Sequence, residues 1–160
     1  MSIGRFYAMI GALIRNANSG KYLVLRRSAE KDVGAGTWEC VTGRVDQGEG
    51  FPEALQREVM EELGVQVQPD FILRTSHFYR GAPIPENEMV GVMVACSVEN
   101  PETIQISWEH SEARWVTPDE ATELLPRGHW LVELIQRAEM MRTLMPEALL
   151  NYYRQAGISM

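Results

Sequence analysis

The chain has 160 residues, of which 45% are apolar and 23% charged, and it carries a net charge of −7. That length is enough for one sizeable core, and a single domain is expected over residues 1–160. The acidic balance excludes the basic surface that nonspecific nucleic-acid binding needs, and no apolar run approaches the roughly 20 residues of a membrane helix.

The start, Met1-Ser2-Ile3-Gly4-Arg5, enters a strand-like run, and no cleavage site of small residues follows a positive beginning. A cytoplasmic protein is expected. Phe6 to Ile14 reads as a strand, Asn16 to Gly20 as a turn, and Tyr22 to Leu25 as a second strand, so the two predict a hairpin. Gly34-Ala35-Gly36 interrupts the chain before a short third strand, Trp38 to Val41. A helix is predicted from Pro52 to Leu63, with Gly64 as its stop. Strands are expected at Phe71–Tyr79 and Met89–Val98, around a loop at Gly81–Asn87 that contains Pro83 and Pro85. Arg114–Val116 reads as a last short strand. Thr117 caps a short helix, Pro118–Leu125. His129–Leu144 places Leu131, Leu134, Ile135 and Ala138 at helical spacing, and its surface offers a contact for a homodimer. Strands mixed with a few helices, without strict alternation, predict an α+β fold. The two cysteines, Cys40 and Cys96, form no metal-type pair and are expected to be reduced.

The chemistry is concentrated between Gly43 and Val65. At about 100° per residue, Glu61, Glu58 and Glu62 lie at roughly −60°, 0° and +40° around the helix axis, while Leu55, Val59 and Leu63 occupy the neighbouring arc. One face meets the core, and the adjoining face presents three acids. Carboxylates this close repel one another and take up protons unless a hard cation lies between them. Magnesium suits such a set, since it prefers oxygen ligands and completes its shell with water and substrate phosphate. Arg57, four residues before Glu61, flanks the acids and can reach back to Glu49. The plainer reading of the same residues is a solvated acidic helix face.

The spacing separates these readings. Gly43, five residues, Glu49, seven residues, Arg57-Glu58-Val59, one residue, Glu61-Glu62, one residue, Gly64-Val65 resembles the full signature of the Nudix hydrolases, with every fixed position filled. The resemblance implies a Nudix-type α/β/α sandwich with a mixed β-sheet and a loop-helix-loop catalytic motif. It implies a small-molecule substrate in which a nucleoside diphosphate is linked to another group. By the same resemblance, Glu58, Glu61 and Glu62 are metal ligands, and Arg57 and Glu49 brace them. Gly43 is the close-approach glycine, Gly64 closes the helix, and the carbonyl of Thr42 adds a ligand. Thr42 stands where many relatives have a second glycine, and Gly50-Phe51 replaces the usual hydroxyl cap and proline.

Beyond the box, the resemblance implies that a loop acid in the region of Glu109 adds a metal ligand or acts as general base, with Glu112 a weaker candidate and His110 read as structural. Arg26 and Arg27 end a strand and are candidates for substrate phosphates; being adjacent, they point to opposite faces, so one at most should serve. Trp38 and Tyr79 are candidates for substrate contact, Trp38 by stacking on a base. The expected activity is metal-assisted hydrolysis of a diphosphate bond in a nucleoside triphosphate or other nucleoside diphosphate derivative, with Mg2+ or Mn2+ as cofactor. Alternatives are an ADP-ribose, nucleotide-sugar or dinucleoside polyphosphate pyrophosphatase, or a nucleotide-sensing module without catalysis. Neither nucleic acid nor membrane is an expected partner.

Overall fold

The protein is described here by a computed structural model, which covers residues 5–31 and 33–157. Residues 1–4, where the reading of the chain start was made, lie outside the described residues. A mixed seven-stranded sheet forms the middle layer. Its strands are β1 (Tyr7–Asn16), β2 (Tyr22–Arg27), β3 (Trp38–Glu39), β4 (Val41–Arg44), β5 (Gln68–Tyr79), β6 (Glu88–Val98) and β7 (His110–Val116). The helices are α1 (Phe51–Leu63), α2 (Pro118–Leu124), α3 (Trp130–Leu144) and α4 (Glu147–Ala156).

Alternation along the central strands builds two cores. Ile10, Ala12 and Ile14 of β1, Leu23 and Leu25 of β2, and Val94 and Cys96 of β6 face α1, where Ala54, Leu55, Val59 and Leu63 meet them. Met9 and Leu13, Tyr22 and Val24, and Met93 and Ala95 face the other way, onto Leu131, Leu134, Ile135 and Ala138 of α3. The helices thus cover both faces, as an α/β/α sandwich requires. Leu131, Leu134, Ile135 and Ala138 of α3 are buried in the chain's own core, while Met140 and Leu144 of the same helix are exposed. Cys40 and Cys96 are both buried and unpaired with each other. Among the described residues no helix is long and apolar enough to cross a membrane.

The predicted hairpin pairs only next to its turn, where Arg15 is opposite Tyr22. Farther along, β1 exchanges β2 for β4, pairing Met9–Ala12 with Arg44–Val41. The predicted third strand accordingly divides at Cys40: β3 pairs with β2, and β4 crosses to β1. This splaying opens the sheet at the point where the acid-bearing helix is attached. On its other side β1 pairs in parallel with β6 from Tyr7↔Met89 to Asn16↔Val98.

Helix α1 starts at Gly50, which caps through its backbone only, and has Pro52 in its first turn. It ends at Gly64, whose φ of 68° is the left-handed conformation that suits glycine. Thr117 caps α2 through a complete capping box with Glu120. The last strand begins at His110, earlier than the sequence predicts, and pairs with β2. Helix α4 was not predicted. Its Leu150 and Tyr153 pack against the α3-side core, and Arg154 meets Asp70 at 2.6 Å.

Candidate active site

The three box acids share one arc of α1 but differ sharply in environment. Glu62, next to Leu55 on the helix circumference, is 5% exposed. Glu58 is largely buried, and Glu61 is open to solvent. This gradient rules out a uniformly solvated acidic face.

Arg57 joins the helix to the preceding loop. Its Nε and Nη2 donate to the two carboxylate oxygens of Glu49 at 2.7 and 2.8 Å. Nη1 donates to Glu58 at 2.8 Å, and Nη2 also reaches the carbonyl of Arg44 at 2.8 Å. Glu49 accepts the backbone N–H of Asp46 as well. These donors, Arg57 first, hold the Glu49 carboxyl down at about 2. The hydrogen bond to Glu49 likewise holds Arg57 in its charged form. Gly43 is required by packing: a Cβ there would stand 1.8 Å from the carboxyl carbon of Glu58. Thr42 precedes it on β4, opposite Gly11 of β1.

Burial raises the Glu58 carboxyl above its usual range, against the pull of Arg57. Glu62 is pushed up to about 9, by burial first and then by the charges of Glu39, Glu109 and Glu58. Lys31 opposes that rise. Among the described residues, the buried Glu62 Oε2 has no hydrogen-bond partner. A buried, unpaired carboxylate oxygen is costly, and its presence beside Glu58 and Glu109 suits a cation. The set consists of hard oxygen donors, as Mg2+ or Mn2+ prefers. As placed, the described residues do not converge as a ready ligand group. Glu58 turns toward Arg57, Glu109 is paired with Lys31, and Glu61 reaches only Arg57, at 3.5 Å.

Glu109 lies just before β7, and its carbonyl accepts the N–H of Ser28 at 2.7 Å. Its partner Lys31 also lies over the exposed ring of Trp108, 4.7 Å from the centroid. Lys31 and Trp108 carried no sequence motif and were not anticipated. Their approach depends on two loops far apart in the chain.

Arg26 and Arg27 do point to opposite faces. Arg27 turns to the α1 side and grips Glu39 at 2.7 and 2.9 Å. Arg26 bonds the Gly36 carbonyl and lies 3.6 Å from Glu112, which also binds Arg114. Trp38 packs on the α3-side core with the Arg114 guanidinium 5.4 Å above its ring, so it sits across the sheet from Glu62. Tyr79 ends β5, at the opposite edge of the sheet from β3, with its ring against His77. His110, read as structural, is buried with Nε2 3.1 Å from Glu39 and 3.8 Å from Glu62.

A family model for the NUDIX domain matches residues 6–138. The nucleoside triphosphatase NudI of Escherichia coli strain SE11 is 32% identical over 111 residues, 64% of this chain and 77% of that protein. The Shigella flexneri NudI matches to the same extent. Among solved structures, the MutT protein of Methanosarcina mazei Go1 is similar with a TM-score of 0.70 and 26% identity, over 89% of this chain and 99% of the other. A Caenorhabditis elegans Ap4A hydrolase shares the fold with a TM-score of 0.66 at 20% identity, over 87% and 99% of the two chains. The box, the sheet that carries it and these likenesses agree: the chain belongs to the Nudix hydrolase family.

Proposed function

We propose that this protein hydrolyses a diphosphate bond of a nucleoside triphosphate, or of another nucleoside diphosphate derivative, with Mg2+ or Mn2+. The observation that carries this reading is the buried, unpartnered oxygen of Glu62 beside Glu58, on a helix whose loop is clamped by Arg57 and Glu49. Glu58 and Glu62, the two buried box acids, would hold the cation. Glu61 and the Thr42 carbonyl would add ligands, as would Glu109 where it is not the base, Glu61 and Glu109 by rotation of long side chains. A bound divalent cation neutralises charge on the phosphoryl oxygens and activates water. Arg57 holds Glu58 through one oxygen, and among the described residues the other makes no hydrogen bond. Lys31, once released from Glu109, offers a point charge to a phosphate oxygen. Where Glu109 is not a ligand it is the acid that takes the proton of the attacking water, whose oxygen joins phosphorus as the bridging P–O bond breaks and the leaving group departs as a phosphate or diphosphate anion.

The NudI relatives, named as nucleoside triphosphatases, favour a nucleoside triphosphate as substrate. A dinucleoside polyphosphate or ADP-ribose has weaker support, since the Ap4A hydrolase and the ADP-ribose-bound NrtR domain of Shewanella oneidensis are only 20% and 18% identical. The intact box favours an enzyme over a sensing module. The test is a turnover screen over nucleotide classes, with products identified by mass, in the presence of Mg2+, Mn2+ or chelator. Turnover of at least one class that stops on chelation is expected. Absence of turnover in every class with either metal, or full rates after thorough metal depletion, overturns the reading.

A further inference from the structure

The clamp on Glu58 has a counterpart behind Glu62. Arg27, at the end of β2, donates through Nη1 to both oxygens of Glu39 and through Nε to the Val33 carbonyl at 3.0 Å. Glu39, so occupied, is an acceptor, and His110 Nε2 donates to its Oε1 at 3.1 Å. The same Nε2 lies 3.8 Å from Glu62 Oε2, and the His110 side chain is 1% exposed. An imidazole therefore stands between two buried carboxylates. One of these is charge-balanced by Arg27, and the other has an oxygen with no hydrogen-bond partner among the described residues.

The sheet is bent to allow this. On the β2–β7 ladder Arg26 is opposite Glu112, yet the next residue, Arg27, is opposite His110, with Ser111 as the extra residue of a bulge. In regular pairing Ser111 would face Arg27, and His110 would point to the α3 side. The bulge places Arg27, Glu39 and His110 on the face of the sheet that bears α1.

We propose that Arg27, Glu39 and His110 are positioning residues for Glu62, a second brace that fixes its carboxylate for the cation as Arg57 and Glu49 fix Glu58. Glu39 holds the imidazole through one oxygen, and Arg27 holds Glu39. The imidazole limits how far the Glu62 carboxylate can rotate and keeps it apart from Glu39. The three residues are hydrogen-bonded to one another and meet Glu62 at the imidazole, 3.8 Å away; loss of groups that orient a metal ligand costs about 10–100-fold in metal affinity or rate. This inference rests on the reading of Glu62 as a metal ligand.

The experiment is Mn2+ titration of the substrate-free protein by electron paramagnetic resonance, alongside kcat and KM for a nucleoside triphosphate. Variants are His110→Leu, His110→Gln, Glu39→Gln and Glu62→Gln. His110→Leu fills the space without a donor, whereas His110→Gln restores an N–H at similar reach. Glu39→Gln is the independent probe should His110→Leu fail to fold. His110→Leu and Glu39→Gln are expected to weaken Mn2+ binding about 10–100-fold, to lower kcat, and to leave KM within about three-fold. His110→Gln is expected to recover most of the loss. If Glu62→Gln loses Mn2+ while folded brace variants bind it like the unmodified protein, the brace is wrong and the metal reading stands. If Glu62→Gln itself binds Mn2+ normally, the metal reading fails and takes the brace with it.

Discussion

Glu62 shows how one position can set both activity and stability. Its carboxyl has a value of about 9 in the fold, against an ordinary 4.5. The folded state thus holds the proton more tightly than the unfolded one. Its contribution is fully present below about 4.5 and is lost as pH rises through about 9. In chelator-treated protein, Tm should fall more steeply with pH between these limits than in Glu62→Gln. At pH 8 the Glu62→Gln variant should melt at least roughly 2–4 °C higher, the response to about 1 kcal/mol in a chain of this size. Thermal scans of the two proteins across pH check this; parallel curves would show that the fold does not hold the Glu62 proton more tightly than the unfolded chain does. With metal supplied, the same variant should lose several orders of magnitude in turnover, because the ligand charge is gone. Gly43→Ala probes the neighbouring acid. Its Cβ overlaps the Glu58 carboxyl, so Glu58 must leave Arg57. Turnover should fall about 10–100-fold with the fold retained, and wild-type kinetics would show that Glu58 acts from elsewhere.

At the scale of elements, the box was legible because its spacing is local. Helix phase placed Glu58, Glu61 and Glu62 together, and it placed Leu55, Val59 and Leu63 in the core, as observed. The Arg57–Glu49 clamp was legible for the same reason. His110 was not, because its direction is set by a bulge between two strands distant in sequence. Trp38 and Arg26 were ambiguous until β3 divided from β4. The missed helix α4 does carry an apolar pattern at Leu149, Leu150, Tyr152 and Tyr153, bounded by Pro146 and Gly157. Its docking, however, depends on Asp70 of β5. That carboxylate is fully buried, accepts from Ser97, and meets Arg142 of α3 and Arg154 of α4. Asp70→Asn leaves Arg142 without its counter-charge. It should cost about 3–5 kcal/mol by denaturant unfolding, and amide exchange across α4 should rise to that of a frayed helix. Unchanged stability would mean that apolar contacts alone hold α4. Arg57→Lys keeps the charge but loses the fork. It should slow turnover and weaken Mn2+ binding, and unchanged titration and kinetics would remove Arg57 from the clamp.

For the molecule as a whole, a cation that binds only the folded chain must stabilise it. Mg2+ or Mn2+ should raise Tm progressively, by about 2.7 kcal/mol of stability at 100 times the dissociation constant. A Tm indifferent to either ion up to millimolar concentrations would contradict a cation site among the box acids. The central seam of the sheet bears on a different matter, the order of folding. Strand β1 joins β6 along ten residue pairs whose members stand about 80 positions apart in the chain. Contacts of such high order form late, since closing a long loop comes before any reward from pairing. A β5–β6 hairpin is the local alternative that can form first. During synthesis from the N-terminus, the apolar run Ile10–Ile14 emerges long before its partner Val92–Cys96. Until Val98 has left the ribosome, one edge of that run stays open to other chains, so the interval between β1 and β6 is when this protein is most exposed to aggregation.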